Sequence, residues 1–262
     1  MAVVSSRIAK PSRAAEDYYP SVLHEEALAR LAYLAEKGTA CGLLLGPAGC
    51  GKSLVLSLFS QKQRQSGAAV AAVSALGVSA SEVLMAIGAA WGADVRTADD
   101  QPQQWKKTTD RLRVLSLDQV PVVLLMDDLN QAQDEVAVML DRLQALAETN
   151  GANLVLIAAA DDRCQGMLSP RLLSRVELRV ELDVWSPAES CGFLEQWLQR
   201  QGGDDQRFDN QAMEVLHDLA EGIPRRIRQL AELTLLAGTR TADGNLSEEV
   251  VGAAYDELNI GR

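Results

Sequence analysis

The chain has 262 residues, of which 47% are hydrophobic and 23% are charged, a composition that suits one large globular domain or two modest ones. Its formal charge of −11 argues against a surface built broadly for nucleic acid, because phosphate binding needs clustered Lys and Arg. No apolar run reaches the roughly 18–20 residues of a membrane span, and the N-terminus lacks the apolar core of a signal peptide. We therefore expect a cytoplasmic protein without a membrane span.

Periodicity predicts alternating helices and strands over most of the chain. The first 16 residues show no periodicity and are expected to form a flexible tail. Apolar residues at helical spacing then precede Gly38, which ends the first helix. Short apolar runs predict buried strands at 42–46, 67–75, 121–128, 153–160 and 175–182. Helices are predicted at 52–64, 79–91, 103–117, 134–149 and 168–174.

This alternation is typical of an α/β fold with a parallel sheet between helices. After Trp185 the strand signals disappear, and four helical segments separated by Gly, Pro and Asp follow. We therefore predict an αβα core over residues 17–184 and a small all-helical domain over residues 185–262.

The segment GPAGCGKS, residues 46–53, lies between a predicted strand and a predicted helix. It fits the phosphate-binding loop pattern G-x-x-x-x-G-K-[ST], in which glycines let backbone N–H groups surround a phosphate. Lys52 would contact the β- and γ-phosphates, and the Ser53 hydroxyl would ligate Mg²⁺. The pattern predicts a nucleoside triphosphate bound by Gly46, Pro47, Ala48, Gly49, Cys50, Gly51, Lys52, Ser53 and Leu54.

A second acidic motif, VVLLMDD, supports a nucleotide site, because an apolar strand ending in Asp can deliver a carboxylate beside the phosphates. We assign Asp127 to the magnesium ion and Asp128 to the orientation of the attacking water. Asp is one methylene shorter than Glu, and the efficiency of such a group depends steeply on its position. The Asp128 carboxylate is therefore expected to act more slowly than a glutamate would.

Hydrolysis also benefits from positive charge that reaches the γ-phosphate in the transition state. Arg171 and Arg175 occupy the end of the predicted core. Arg225 and Arg226 follow a Gly-x-Pro turn at the start of a C-terminal helix. Taken singly each is more typical of a solvated arginine, but their placement relative to the two nucleotide motifs favours a functional role.

With these motifs the sequence resembles the AAA+ ATPases, and within them the ExeA/GspA-type secretion ATPases and the TniB-type transposition ATPases. YYPSVLHEEAL resembles the segment that leads into the first helix of that group, and GIPRRI resembles its sensor 2 segment. The resemblance covers about residues 17–258. It implies ATP with Mg²⁺ between core and lid, Arg225 as the sensor 2 arginine, and Tyr19 near the adenine. It also implies a homo-oligomer, ring or filament, in which Arg175 (first choice) or Arg171 (second choice) reaches the neighbouring ATP.

The sequence departs from the family pattern at three places. Asp127-Asp128 replaces the usual Asp-Glu pair, and Ala159 stands where a polar sensor 1 residue is expected. The 262 residues include no counterpart of the membrane span and peptidoglycan-binding region of longer secretion members, so a direct secretion role is not expected.

Three functions stay open from the sequence. The first is an ATP-dependent switch that assembles with itself and acts on an unidentified protein partner. The second is a nucleotide-binding scaffold with little turnover, which Asp128 and Ala159 favour. The third is a DNA-associated transposition-type ATPase, for which a basic cluster on one predicted helix could contact phosphates. That cluster comprises Lys106, Lys107, Arg111 and Arg113.

Overall fold

A computed structural model of the chain describes residues 18–162, 170–201, 207–238 and 245–259. The expected N-terminal tail and the first residues of the helix predicted at 168–174 lie outside the described residues. The chain divides into two compact units. The first comprises residues 23–46 and 52–182, and the second comprises residues 18–22, residues 47–51 and the chain from residue 183 onward.

The first unit is built on a five-stranded sheet in the order β2-β3-β4-β1-β5, and every neighbouring pair is parallel. Its strands are β1 (Ala40–Gly46), β2 (Ala69–Ser74), β3 (Val122–Asp127), β4 (Leu154–Asp161) and β5 (Leu178–Glu181). All of β1 is buried, and β3 and β4 are buried up to their last residues. Strands covered on both faces read as continuous apolar runs, and this confirms the predicted parallel α/β core.

Six helices accompany this sheet: α1 (Val22–Glu36), α2 (Lys52–Gln65), α3 (Ala80–Ala90), α4 (Gln101–Leu117), α5 (Asp134–Asn150) and α6 (Pro170–Arg175). Capping boxes start α3 at Ser79 and α4 at Asp100, where the cap side chain accepts a backbone N–H bond and a later side chain returns one. Gly151, at φ 64°, ends α5. No helix in the described part of the chain is long and apolar enough to cross a membrane.

The edge strand of the sheet is shorter than its sequence indicates. Residues 175–182 read as one strand, but Arg175 ends α6 and β5 begins at Leu178. β5 pairs with a neighbour on one side alone, residues 42–45 of β1, so the ladder supports a strand over that length and no further.

The second unit contains α7 (Pro187–Arg200), α8 (Asn210–Leu219), α9 (Pro224–Gly238) and α10 (Glu248–Asn259). Its core is richer in aromatic side chains than that of the first unit, with Trp185, Phe193 and Trp197 buried together. The prediction of an all-helical domain is wrong in one detail. Two short strands, β6 (Arg207–Phe208) and β7 (Asn245–Leu246), form a parallel pair, and the buried side chains of Phe208 and Leu246 anchor it in this core.

Candidate functional site

Three parallel strands of the first unit end at the same edge of the sheet. β1 ends at Gly46, β3 ends at Asp127 and β4, which lies between them, ends at Asp161. Gly46 pairs in register with Asp161. In open α/β sheets, ligands bind outside the carboxyl ends of the strands, so this edge is the first place to look for a site.

The glycine-rich loop leaves β1 at this edge with a backbone that side chains rarely adopt. Gly46, Gly49 and Gly51 have φ angles of 155°, 93° and 108°. Within the loop the Cys50 N–H donates to the Pro47 carbonyl over 3.3 Å. The glycines are therefore needed for the path of the chain and leave backbone groups exposed at the turn.

Gly49 is required for space as well as for its backbone angle. A Cβ added at this position would lie 3.0 Å from Cγ2 of Ile223 and 3.1 Å from Cβ of Arg225. The Arg225 N–H donates to the Gly49 carbonyl over 3.2 Å. The middle of the loop and the first turn of α9 thus pack against each other inside the second unit.

Lys52 and Ser53 open α2 directly after the loop. The Lys52 ammonium donates to the Gly46 carbonyl over 2.6 Å, which holds the charge beside the start of the loop. The Ser53 hydroxyl lies within interaction range of the carboxylate of Asp127 at the end of β3. The structure therefore brings Asp127 close to Lys52 and Ser53, which are far from it in the sequence.

Burial raises the pKa of Asp127 above the usual aspartate value, and the negative charge of Asp128 adds to the effect. Hydrogen bonds from Ser53 and from the Asp128 N–H, and the positive charge of Lys52, act in the opposite direction without cancelling it. The ionised carboxylate is thus incompletely compensated by the protein. A hydroxyl and a carboxylate side by side are donors that suit Mg²⁺, so these residues fit the implied metal.

Asp128 is held by two hydrogen bonds. Its backbone is left-handed, at φ 54° and ψ 36°, and its N–H donates to Oδ1 of Asp127 over 3.0 Å. Its Oδ2 accepts a hydrogen bond from the Ser74 hydroxyl over 3.1 Å, and the Ser74 hydroxyl in turn accepts from the Leu76 N–H. Sequence reasoning missed Ser74, although it is a polar residue near the end of a predicted strand and is the last residue of β2.

The end of β4 differs from the sequence expectation. Ala159 pairs with Leu44 inside the sheet and is fully buried. β4 continues to Asp161. The Asp161 N–H donates over 3.2 Å to Oδ1 of Asn130, which lies in the 3-10 turn Leu129–Gln131 after Asp128. Asn130 is a second site residue that sequence reasoning missed.

The structure places Arg175 near the amino-terminal ends of the strands, opposite to the end where Gly46 lies. It ends α6 three residues before Leu178, the residue of β5 that pairs with Gly42 near the start of β1. Its guanidinium forms an ion pair with Glu148 of α5, and its side chain is 29% exposed. Arg171, one turn earlier, is exposed. Neither arginine is brought to Gly46 of its own chain.

The arginines at the start of α9 differ in their partners. Arg226 pairs with Glu221 over 2.6 Å, and Arg228 pairs with Glu232 over 2.8 Å. The exposed Arg225 side chain makes no hydrogen bond or ion pair with any residue that the structure describes. Of the arginines predicted for this segment, Arg225 therefore keeps its charge available.

Tyr19 lies in the aromatic core of the second unit. Its ring meets Trp185 and Phe193 edge to face, with centroids 5.6 Å and 6.1 Å away, and it packs closely on Gly192. Burial and the charges of nearby glutamates raise its pKa. The contacts of Tyr19 hold the segment before α1 against α7. Its position near an adenine stays a prediction.

The basic helix singled out in the sequence is α4, and two of the four cations in its cluster pair with carboxylates. Lys107 pairs with Asp99 over 2.6 Å, and Arg113 pairs with Asp110 over 2.9 Å. The Arg111 Nε donates to the neutral Trp91 carbonyl over 2.8 Å, and Lys106 is exposed. About half of the positive charge of the cluster is therefore paired.

Comparisons with known proteins agree with this geometry. The chain resembles RuvB from Thermotoga maritima, a Holliday junction branch migration motor, with a TM-score of 0.62 at 17% identity, covering 90% of this chain and 70% of that one. It resembles Aeropyrum pernix ORC1 in complex with DNA, with a TM-score of 0.69 at 20% identity, covering 92% and 66%. For Aeropyrum pernix ORC2 the TM-score is 0.64 at 18% identity, covering 95% and 68%.

These structural similarities show the fold, and the sequence shows the family. No curated protein sequence matches the chain at a significant level. A family profile described as an AAA domain matches residues 35–165, which is half of the chain and includes the glycine-rich loop and both acidic strand ends. The chain therefore belongs to the AAA domain family and has the P-loop AAA+ fold, with a helical C-terminal region consistent with a lid.

Proposed function

We propose that this protein binds MgATP and hydrolyses it slowly, and that it acts as an oligomerising switch on a protein partner. The proximity of Ser53 and Asp127 carries this proposal, because a hydroxyl that follows the phosphate loop and a carboxylate at the acidic strand end together make a donor set for magnesium. Its motifs resemble those of the ExeA/GspA and TniB groups, and we propose it as a relative of them.

Each residue of the site has a distinct task in this proposal. The loop N–H groups and Lys52 would bind the phosphates and balance their charge, while Ser53 and Asp127 would hold a magnesium ion, which would supply further positive charge to the phosphates. Asp128 orients a water whose oxygen bonds to the γ-phosphorus as the bond to the β–γ bridging oxygen breaks. The products are ADP and phosphate. Arg225, with its unpaired guanidinium, senses the nucleotide from α9.

The expectation of slow turnover rests on Asp128. Its carboxylate is one methylene shorter than glutamate, and Ser74 already occupies one of its oxygens. A small misplacement of a water-orienting group can cost about 100-fold in rate. The same observation favours the second candidate, a nucleotide-binding scaffold with little turnover.

The positions of the arginines support the proposal of self-assembly. Along the parallel ladder, Gly46 is four residues beyond Gly42, roughly 13 Å at 3.3 Å per residue, while Arg175 precedes the partner of Gly42. An arginine at that edge serves the phosphate site of another copy, not its own. Arg171 is exposed and can take this role directly. Arg175 can take it only after its ion pair with Glu148 breaks.

A DNA-associated role is the third candidate. RuvB is a branch migration motor and ORC1 is in complex with DNA, which favours nucleic acid as a partner. The paired cations of α4 and the formal charge of −11 oppose it. Retention of DNA that requires ATP and weakens with salt would establish this role, and retention independent of ATP would exclude it as the switch function.

A mixing experiment tests the proposal. Lys52→Ala subunits lack a working site but keep Arg171 and Arg175, and the double variant Arg171→Ala/Arg175→Ala keeps the site but lacks these arginines. We expect each alone to turn over ATP at the background rate and the mixture to recover part of the wild-type rate. A mixture as inactive as its components, when wild type alone is active, would exclude arginines acting between subunits.

A further inference from the structure

The end of β4 carries a polar arrangement that the proposed function does not use. β3 ends at Asp127, while β4 continues to Asp161, so β4 extends beyond its neighbour at the edge where the phosphate loop begins. Residues 158–160 of β4 are alanines and offer no side-chain donor there. The Asp161 N–H, which β3 no longer pairs, donates instead to Oδ1 of Asn130.

This hydrogen bond sets the orientation of the Asn130 amide. A backbone N–H is a donor and nothing else, so the side-chain atom facing it must be the carbonyl oxygen. The amide nitrogen, with its two N–H donors, therefore faces away from the Asp161 backbone. It donates to no atom of the residues that the structure describes, and the side chain is half-buried. Asn130 thus presents oriented, unused donors.

The location of these donors is defined by the sheet. Asn130 bonds the backbone of Asp161 over 3.2 Å, and Asp161 is the in-register partner of Gly46, the first glycine of the phosphate loop. Asn130 follows Asp128 by two residues within the same turn. The amide therefore lies at the carboxyl end of the sheet, between the end of β1 at Gly46 and the acidic pair at the end of β3, which is the end where ligands of such sheets bind.

We infer that Asn130 is a catalytic residue that donates a hydrogen bond to the transferring phosphoryl group, a role that the alanine-rich end of β4 cannot fill. The inference rests on the proposed ATPase function and deepens it. The alternative is a purely structural role, in which Asn130 accepts the hydrogen bond from the Asp161 N–H and takes no part in catalysis. The two roles use different atoms of one side chain, so they can be separated by substitution.

Three variants separate them. Asn130→Asp keeps an oxygen that caps the Asp161 N–H but loses the donors and adds a negative charge. Asn130→Ala loses both cap and donors without adding charge. Gln131→Glu adds the same charge at the neighbouring exposed position and leaves the amide untouched, so it is the matched control.

The measurements are the turnover rate with MgATP and the dissociation constants of MgADP with and without aluminium fluoride, which mimics the transferring phosphoryl group. We expect both Asn130 variants to lose about 10- to 100-fold in turnover and in preference for the fluoride complex, since one lost donor of this kind costs about 100- to 1,000-fold in well-studied sites. Affinity for MgADP alone should change less than about threefold, and Gln131→Glu should retain the wild-type preference.

Full turnover and preference in Asn130→Asp would show that the residue is a cap and overturn the inference, as would wild-type values in Asn130→Ala. A wild-type chain with no preference for the fluoride complex would also overturn it. The failure of the proposed function is a separate result: wild type would then turn over ATP no faster than Lys52→Ala, while the ratio of the two dissociation constants would still decide the role of Asn130.

Discussion

Substituting Gly49 with alanine tests the packing of the phosphate loop, because the added Cβ would meet Ile223 and Arg225 at 3.0 Å and 3.1 Å. Contacts under about 3.4 Å force the neighbours or the loop to move. Gly67 provides a matched control. Its φ of 87° is close to the 93° of Gly49, but a Cβ there would have no neighbour within 4 Å.

The expected magnitudes follow from this pair. An L-residue in a left-handed conformation costs about 1–2 kcal/mol, and both variants bear that cost. Overpacking adds about 1–3 kcal/mol at Gly49 alone. The loss of unfolded-state freedom on changing Gly to Ala is common to both and cancels in the comparison. Gly49→Ala should therefore destabilise the chain by about 1–3 kcal/mol more than Gly67→Ala does.

Urea unfolding followed by circular dichroism measures the unfolding free energies of the two variants. Titration with a fluorescent ATP analogue measures their nucleotide affinity. We expect Gly49→Ala to weaken nucleotide binding by at least about tenfold, equivalent to about 1.4 kcal/mol, and Gly67→Ala to leave it unchanged. Equal unfolding free energies within about 0.5 kcal/mol, with equal nucleotide affinities, would refute the packing and the role assigned to Gly49.

Three further substitutions test the acidic pair and the arginine. Burial raises the pKa of Asp127, so its ionised form disfavours folding; stability from this group is present at acidic pH and is lost as pH rises through the folded pKa. At pH 7, Asp127→Asn without ligand should thus melt above wild type, with the gap closing as pH falls, and a lower melting temperature would contradict this. Asp128→Glu should raise turnover by about tenfold through its longer reach, and an equal or lower rate would remove side-chain length as the cause of slow hydrolysis. Glu148→Gln should cost less than about 1 kcal/mol, since the pair with Arg175 is partly exposed, and should lower the protein concentration at half-maximal turnover; an unchanged concentration would mean that Arg175 is not the residue released for assembly.

The phosphate loop could be predicted because its chemistry is local. Glycines, Lys52 and Ser53 are adjacent in the sequence, and the apolar runs on either side predict the strand and helix that position them. The proximity of Asp127 could also be inferred, since the carboxyl ends of parallel strands meet at one edge. The structure agrees with that inference, since Ser53 and Lys52 both act on the Asp127 carboxylate.

Residues whose placement depends on strand register could not be predicted. An apolar run predicts a buried strand, but it does not say how far β4 extends beyond β3. For the same reason Asn130 was not predicted as a site residue. Its side chain is oriented by the Asp161 N–H, which is unpaired by β3 because β4 extends beyond β3. Ser74 was missed because its hydrogen-bond partner, Asp128, directly follows the neighbouring strand β3 and is 54 residues away in the sequence.

Side-chain pairing between helices was equally hidden. The sequence ranks Arg175 before Arg171 by alignment, but the ion pair with Glu148 depends on how α5 and α6 pack. The basic cluster of α4 likewise looked available until its acidic partners were known. Charges are read easily from a sequence, whereas their neutralisation is a tertiary property.

The central claim is that Lys52, Ser53 and Asp127 form a working MgATP site. The most direct test is a single-turnover assay with protein in excess over γ-labelled ATP, comparing wild type with Lys52→Ala, with and without magnesium. The account predicts magnesium-dependent release of labelled phosphate by wild type and none above background by Lys52→Ala. Equal release by both proteins, or release by wild type that does not need magnesium, would contradict it.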